Sequence, residues 1–195
     1  NSYLNAINQV GKINKEKNLL NGVSIKISAL HPRYEMRKFA ELESELLPRL
    51  SELINYAYSE NVEITIDAEE QDRLSISLHI IEKLAQKKSI KDWPGFGIAL
   101  QAYGKRSFDV IHWLNNLITK RANMHLRLVK GAYWDYEIKH AQVLGYEDYP
   151  VFSKKSFTDI MYLACAKEIL KNKNIFPKFA THNAHTIASI SHLGE

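Results

Sequence analysis

Short apolar runs separated by longer amphipathic stretches set the pattern of this chain. Five runs, at residues 23–28, 62–67, 97–101, 125–130 and 179–182, are rich in β-branched, leucine or aromatic residues and read as buried strands. Between them, apolar positions recur at helical spacing. Leu74, Leu78, Ile81 and Leu84 fall on one face of a helix after Asp72. Val110, Ile111, Leu114 and Ile118 line a second helix, and Phe157, Met161, Ala164 and Leu170 a third. Each stripe is expected to be core. Residues 37–58 repeat the pattern through Leu42, Leu46, Leu50, Leu53 and Ala57 with Pro48 among them, which predicts a kinked helix or a second helix starting at the proline.

Alternating strand and helix predicts an α/β fold in which a parallel sheet is covered by helices, either an open doubly wound sheet or most of a (βα)8 TIM-type barrel. The strand ends favour the barrel, because nearly all finish in polar or ionisable residues and a barrel gathers every strand end around one mouth. No strand is followed by a glycine-rich phosphate loop, so a dinucleotide, if bound, is not held in the Rossmann manner.

Bulk composition narrows the classes further. The 195 residues, 45% of them hydrophobic, suit one domain or a piece of one. The net charge of +4 comes from 26 basic and 22 acidic residues dispersed along the chain. Lysine patches at 12–17, 87–91 and 171–173 read as solvated helix ends, and no nucleic-acid contact is expected. No apolar run approaches the ~20 residues of a membrane-spanning helix. The one cysteine, Cys165, sits in an apolar helical stretch and reads as a buried inert thiol, which fits a cytoplasmic setting.

Candidate chemistry collects at the strand ends. Lys26 interrupts a run of isoleucines and, if buried, needs an acid partner or a lowered pKa; Asp67 at the end of the next strand is the natural counter-charge. Glu69, Glu70 and Asp72 read as charging the start of the following helix rather than as metal ligands. His182 and His185 have metal-compatible spacing but no third ligand, so no metal is expected. Gln101 offers an amide that donates and accepts, matching the edge of a flavin, pterin or pyrimidine. Beside Arg127 and Lys130, and with the aromatic faces of Tyr133 and Trp134 in the same stretch, it points to a planar, anionic ligand.

Five stretches carry a more specific likeness: VSIKISALHPRY at 23–34, IDAEEQDR at 66–73, QAY at 101–103, RLVKGAYW at 127–134 and FATHNAH at 179–185. In this order, over nearly the whole chain, they closely resemble the proline dehydrogenase domain of the bacterial bifunctional proline utilization A flavoenzymes. The resemblance implies FAD-dependent oxidation of L-proline to Δ1-pyrroline-5-carboxylate on a (βα)8 barrel, by hydride transfer to flavin N5, with electrons leaving to a membrane quinone. It also implies further domains in the parent polypeptide and a parent peripheral at the inner membrane. By resemblance, Lys26 holds the proline carboxylate, Asp67 organises the site, and Tyr133 packs on the substrate ring. Gln101 and Arg127 contact the isoalloxazine, Lys130, Gly131, Ala132 and Trp134 line the FAD, and Thr181, His182 and Asn183 touch it. The family's last strands, its arginine pair for the carboxylate and a nearby glutamate have no counterpart among these residues, so a piece covering about the first five strands is expected. Ser153 stands where a threonine is expected near the cofactor, and Ala99 where a valine is expected. Two alternatives remain: a metal- or lysine-dependent barrel lyase or hydrolase using Lys26, Asp67, His182 and His185, and an inactive fragment that serves only as a binding module.

Overall fold

In a computed structural model, which describes residues 2–195, the alternation resolves into five parallel strands and seven α-helices. They run α1 (Ser2–Lys17), β1 (Gly22–Ile25), α2 (Phe39–Ser59), β2 (Glu63–Ile66), α3 (Leu74–Ala85), β3 (Phe96–Gln101), α4 (Ser107–Ile118), β4 (Met124–Val129), α5 (Trp134–Val143), α6 (Lys155–Lys171), β5 (Ile175–Phe179) and α7 (Ala184–Gly194). The sheet order is β1-β2-β3-β4-β5, and every neighbouring pair is parallel. Parallel strands in sequential order, joined by crossovers of one hand, place their helices on one face, and this is the order of a (βα)8 barrel wall rather than of a doubly wound sheet.

Side-chain parity divides the sheet. Ile25, Ile64, Ile66, Phe96, Ile98, Leu100, Met124, Leu126 and Leu128 are buried against the helices and form the core. The alternate positions carry Ser24, Glu63, Thr65, Gly97, His125, Arg127 and Lys178, so the other face is polar. That face is strongly concave. Arg127 on β4 donates to the Ser24 hydroxyl on β1 at 2.9 Å, and Lys178 on β5 is ion-paired with Glu63 on β2. Strands three places apart in a flat sheet stand about 14 Å apart, too far for side chains perpendicular to the sheet to meet. The His125 imidazole bonds the Thr65 hydroxyl at 2.8 Å. Gly97 makes room for it, because a Cβ there would lie 2.1 Å from the imidazole Cδ2.

Several expected boundaries shift. β5 lies at Ile175–Phe179, ending where the expected 179–182 strand begins, and it includes Pro177. It is an edge strand, where a missing N–H costs little. β1 ends at Ile25, and a 3-10 turn over Ile27–Ala29 follows it. α2 continues through Pro48 as one helix, because the proline is exposed and water can serve the carbonyl it leaves unpaired. In α3 the buried stripe is Ile76, Ile80, Ile81 and Leu84, with Leu74 and Leu78 only partly covered. In α6 Thr158, Tyr162, Cys165, Ala166 and Ile169 face inward while Phe157 is exposed. The α4 stripe is buried throughout. No helix among the described residues is long and apolar enough to cross a membrane.

Candidate functional site

Where the strands end at their carboxyl side, the chain turns into a cavity of about 600 Å³. It is lined by Lys26, Asp67, Gln101, Arg127, Lys130, Gly131, Ala132, Tyr133, Thr181, His182 and Asn183, together with Lys155 and the small or apolar Ala68, Ala99, Val129 and Ala180. Every strand therefore contributes, either from its last residue or from the loop that follows.

The acid–base partners differ from those the sequence suggests. Asp67 pairs with Arg127, not with Lys26. Its own backbone N–H donates to the Ile25 carbonyl at 2.9 Å, which ties the start of the β2 loop to β1, and the carboxylate reaches the guanidinium of β4, two strands away. Lys26 lies past β1 and is exposed at the cavity mouth, its backbone N–H bonded to the Tyr3 hydroxyl of α1 at 3.1 Å. Its ammonium stands 5.8 Å from the Tyr133 ring centre. The Tyr133 hydroxyl, and to a lesser degree Asp67 and Glu69, raise its pKa, so it is a stable cation. A Schiff-base lysine needs the opposite shift.

Gln101 is 3% exposed and joins two loops. Its Nε2 donates to the Glu69 carbonyl at 2.8 Å and its Oε1 accepts from the Ala132 N–H at 2.9 Å, leaving one N–H and one lone pair free. Glu69 does not cap α3. Its buried carboxylate accepts from the Ser28 N–H at 3.0 Å and from Arg73 at 3.1 Å, tying the β1 and β2 loops together, while the residue before α3 makes no side-chain cap. Lys130 and Lys155 converge on Asp159, and that pairing holds the Asp159 carboxyl below the usual carboxylate range.

Gly131 has φ +150, and a Cβ there would lie 2.4 Å from the Tyr103 ring. Only glycine lets this turn pass so close to a tyrosine that is 2% exposed. At the opposite wall Asn183 caps α7, its Oδ1 accepting from the Thr186 N–H at 2.9 Å, and the Thr181 hydroxyl accepts from the Asn183 N–H at 3.1 Å. Trp134 stands outside the cavity. Its Nε1 donates to the Phe152 carbonyl at 2.9 Å, and it lines an adjoining recess of about 440 Å³ with Tyr103, Lys130, Gly131, Ser153, Lys155 and Thr158.

Four cations, Lys26, Arg127, Lys130 and Lys155, line the cavity against two carboxylates, Asp67 in the lining and the Asp159 that pairs with Lys130 and Lys155. With the free amide edge of Gln101 and the walls of small residues, the donor set fits a flat, partly anionic ring system with phosphates, and the volume lies in the usual range for a bound cofactor. Among the described residues no group of three His, Cys, Asp or Glu is placed to hold a metal ion, so the metal-dependent alternative has no ligand set there. Lys155 and Asp159 are not legible in the sequence, because they lie among the polar positions of a helix whose visible signal is its apolar stripe. Ala68 and Ala180 fall within two of the stretches that carry the likeness, but their contribution, the space they leave in the lining, shows only in the structure.

The family model for proline dehydrogenase matches residues 1–195. The bifunctional protein PutA of Salmonella typhimurium is 48% identical over 98% of this chain, and that of Escherichia coli 49% identical over 98%. The crystal structure of a variant of proline utilization A from Bradyrhizobium japonicum superposes with a TM-score of 0.95 at 44% identity, covering 98% of this chain and 20% of that one. The chain spans about 15% of the length of the two curated relatives. With a match from end to end and a cavity built from the same stretches that carry the likeness, the chain belongs to the proline dehydrogenase family.

Proposed function

We propose that this chain forms the first five strands of a (βα)8 barrel that oxidises L-proline to Δ1-pyrroline-5-carboxylate with FAD as cofactor, the barrel being closed by strands outside it. The observation that carries the proposal is the cavity that gathers a charged lysine, an aromatic face, a braced arginine and an amide at the strand ends. FAD, when bound, supplies the two-electron acceptor at N5 for the hydride leaving the ring carbon next to nitrogen. The residues of this chain bind, orient and neutralise.

Lys26, its pKa raised, stays charged at neutral pH and pairs with the proline carboxylate. The Tyr133 ring beside it packs on the pyrrolidine and keeps water from the reacting carbon. Arg127, held by Asp67 and Ser24, presents its remaining donors to the flavin edge where negative charge collects on reduction. Gln101 offers its free N–H and lone pair to the ring. Lys130, Gly131, Ala132, Thr181, His182 and Asn183 hold the rest of the cofactor, and Trp134 borders it from the adjoining recess. Electrons then pass from the parent enzyme to a membrane quinone, which places a cytoplasmic enzyme at the inner membrane surface.

Two substitutions in the full-length parent enzyme separate these roles. Lys26→Met raises the KM for proline about 10- to 100-fold, the effect of one hydrogen bond to a charged group, and leaves FAD content unchanged. Arg127→Met lowers proline turnover and speeds FAD dissociation. Loss of FAD with intact proline affinity in the first variant, or unchanged kinetics and cofactor retention in the second, contradicts the assignment.

A further inference from the structure

Arg127 makes two contacts on two different strands, and only one of them is ionic. One terminal nitrogen meets the Asp67 carboxylate beyond β2, while the other donates to the Ser24 hydroxyl on β1 at 2.9 Å. The contact with Asp67 alone restrains the guanidinium at one nitrogen and leaves it free to swing about that bond. A second contact at the other nitrogen fixes its plane. Ser24 stands two residues before Lys26 and pairs in register with Thr65, two before Asp67, so it lies on the same inward face, one layer below the charged groups. Its hydroxyl meets the guanidinium across three strand spacings, a contact that exists only because the sheet is curved. A guanidinium has five N–H donors, and with two so engaged three remain for a ligand.

We propose that Ser24 is a positioning residue: through its hydroxyl it fixes the plane in which Arg127 presents its free donors to the cavity. This rests on the proline dehydrogenase reading of the site. Ser24 does not line the cavity, and its effect passes through Arg127. The serine needs only its hydroxyl for this role, so threonine, which suits a strand, preserves the contact and alanine abolishes it.

The test uses the full-length parent enzyme with FAD bound, as Ser24→Ala and Ser24→Thr. The midpoint potential of the flavin, kcat/KM for proline and the thermal unfolding transition are measured on each. Ser24→Ala is expected to lower kcat/KM about tenfold, the low end for one hydrogen bond to a charged group because Asp67 still holds the guanidinium, and to shift the flavin potential. Ser24→Thr is expected to restore both, with both variants unfolding close to the parent. Parental kinetics and potential in Ser24→Ala overturn the inference. So does a threonine variant as impaired as the alanine one, because the defect then lies in packing rather than in the hydroxyl. If the parent itself is not reduced by proline, the dehydrogenase reading fails and this inference falls with it, an outcome distinct from either of the others.

Discussion

Gly131→Ala probes the tightest point of the site. At φ +150 a side chain is strained whatever the space around it, a cost of about 1–3 kcal/mol. The space is also taken. The added Cβ would stand 2.4, 2.5 and 2.7 Å from three atoms of the Tyr103 ring. That ring cannot retreat easily, since Tyr103 is 2% exposed and its backbone N–H is bonded to the Lys130 carbonyl at 2.8 Å. Overpacking of this kind adds about 1–3 kcal/mol. Together these amount to roughly 2–6 kcal/mol, which in a domain of this size lowers the melting temperature by roughly 5–20 °C. Relief by movement of the turn would pull the Ala132 N–H away from Gln101, so cofactor retention should fall as well. Gly145→Ala is the control: its φ is +66, but nothing lies within 4 Å, so only about 1 kcal/mol of backbone cost is expected and no effect on the site. Thermal unfolding of both variants decides the matter. A Gly131→Ala protein that melts within about 2 °C of the parent, or no lower than the Gly145→Ala control, would refute the reasoning.

Two further outcomes follow from buried groups. Burial, with Lys178 and Arg127 adding to it, pushes the His125 pKa down to about 3, whereas the unfolded chain titrates near 6.5. Between these values the unfolded state binds more protons, so His125 contributes stability above pH 6.5 that is lost as pH falls toward 3; His125→Gln should flatten that limb of an acid-unfolding curve, and an unchanged slope would count against it. Burial likewise pushes the Cys165 thiol up to about 11, so native protein should resist an arylating thiol reagent at pH 8 and react only as fast as it unfolds; rapid labelling of folded protein would contradict that.

The fold was legible where a single pattern dominated. β2, β3 and β4 are dense in buried apolar residues, and α4 presents one clean stripe. β5 was misplaced because Phe176, Pro177 and Lys178 look like a loop, and only pairing with β4 makes them a strand. The stripes of α3 and α6 are legible only in part: Ile81 and Leu84 are buried and Leu74, Leu78 and Met161 pack against the core, but Phe157 is exposed and Ile76, Ile80 and Tyr162 take the central places, because apolar residues occur on more than one face and neighbouring helices choose which is buried. For the site, the contributing residues were legible from the strand ends and the family likeness, but their pairing was not. Lys26 and Asp67 are adjacent in the strand order, yet Asp67 turns to Arg127, since a curved sheet brings β4 across to β2 and β1. Sequence spacing contains no term for that curvature.

The most direct test of the account is an anaerobic titration with L-proline of FAD-reconstituted protein, following the visible flavin absorbance. It is run on this chain and on a version extended through the remaining barrel strands. Bleaching by proline in the extended protein is the predicted result. If both versions are folded and neither binds flavin nor bleaches, the dehydrogenase reading is wrong, and the cavity serves some other ligand.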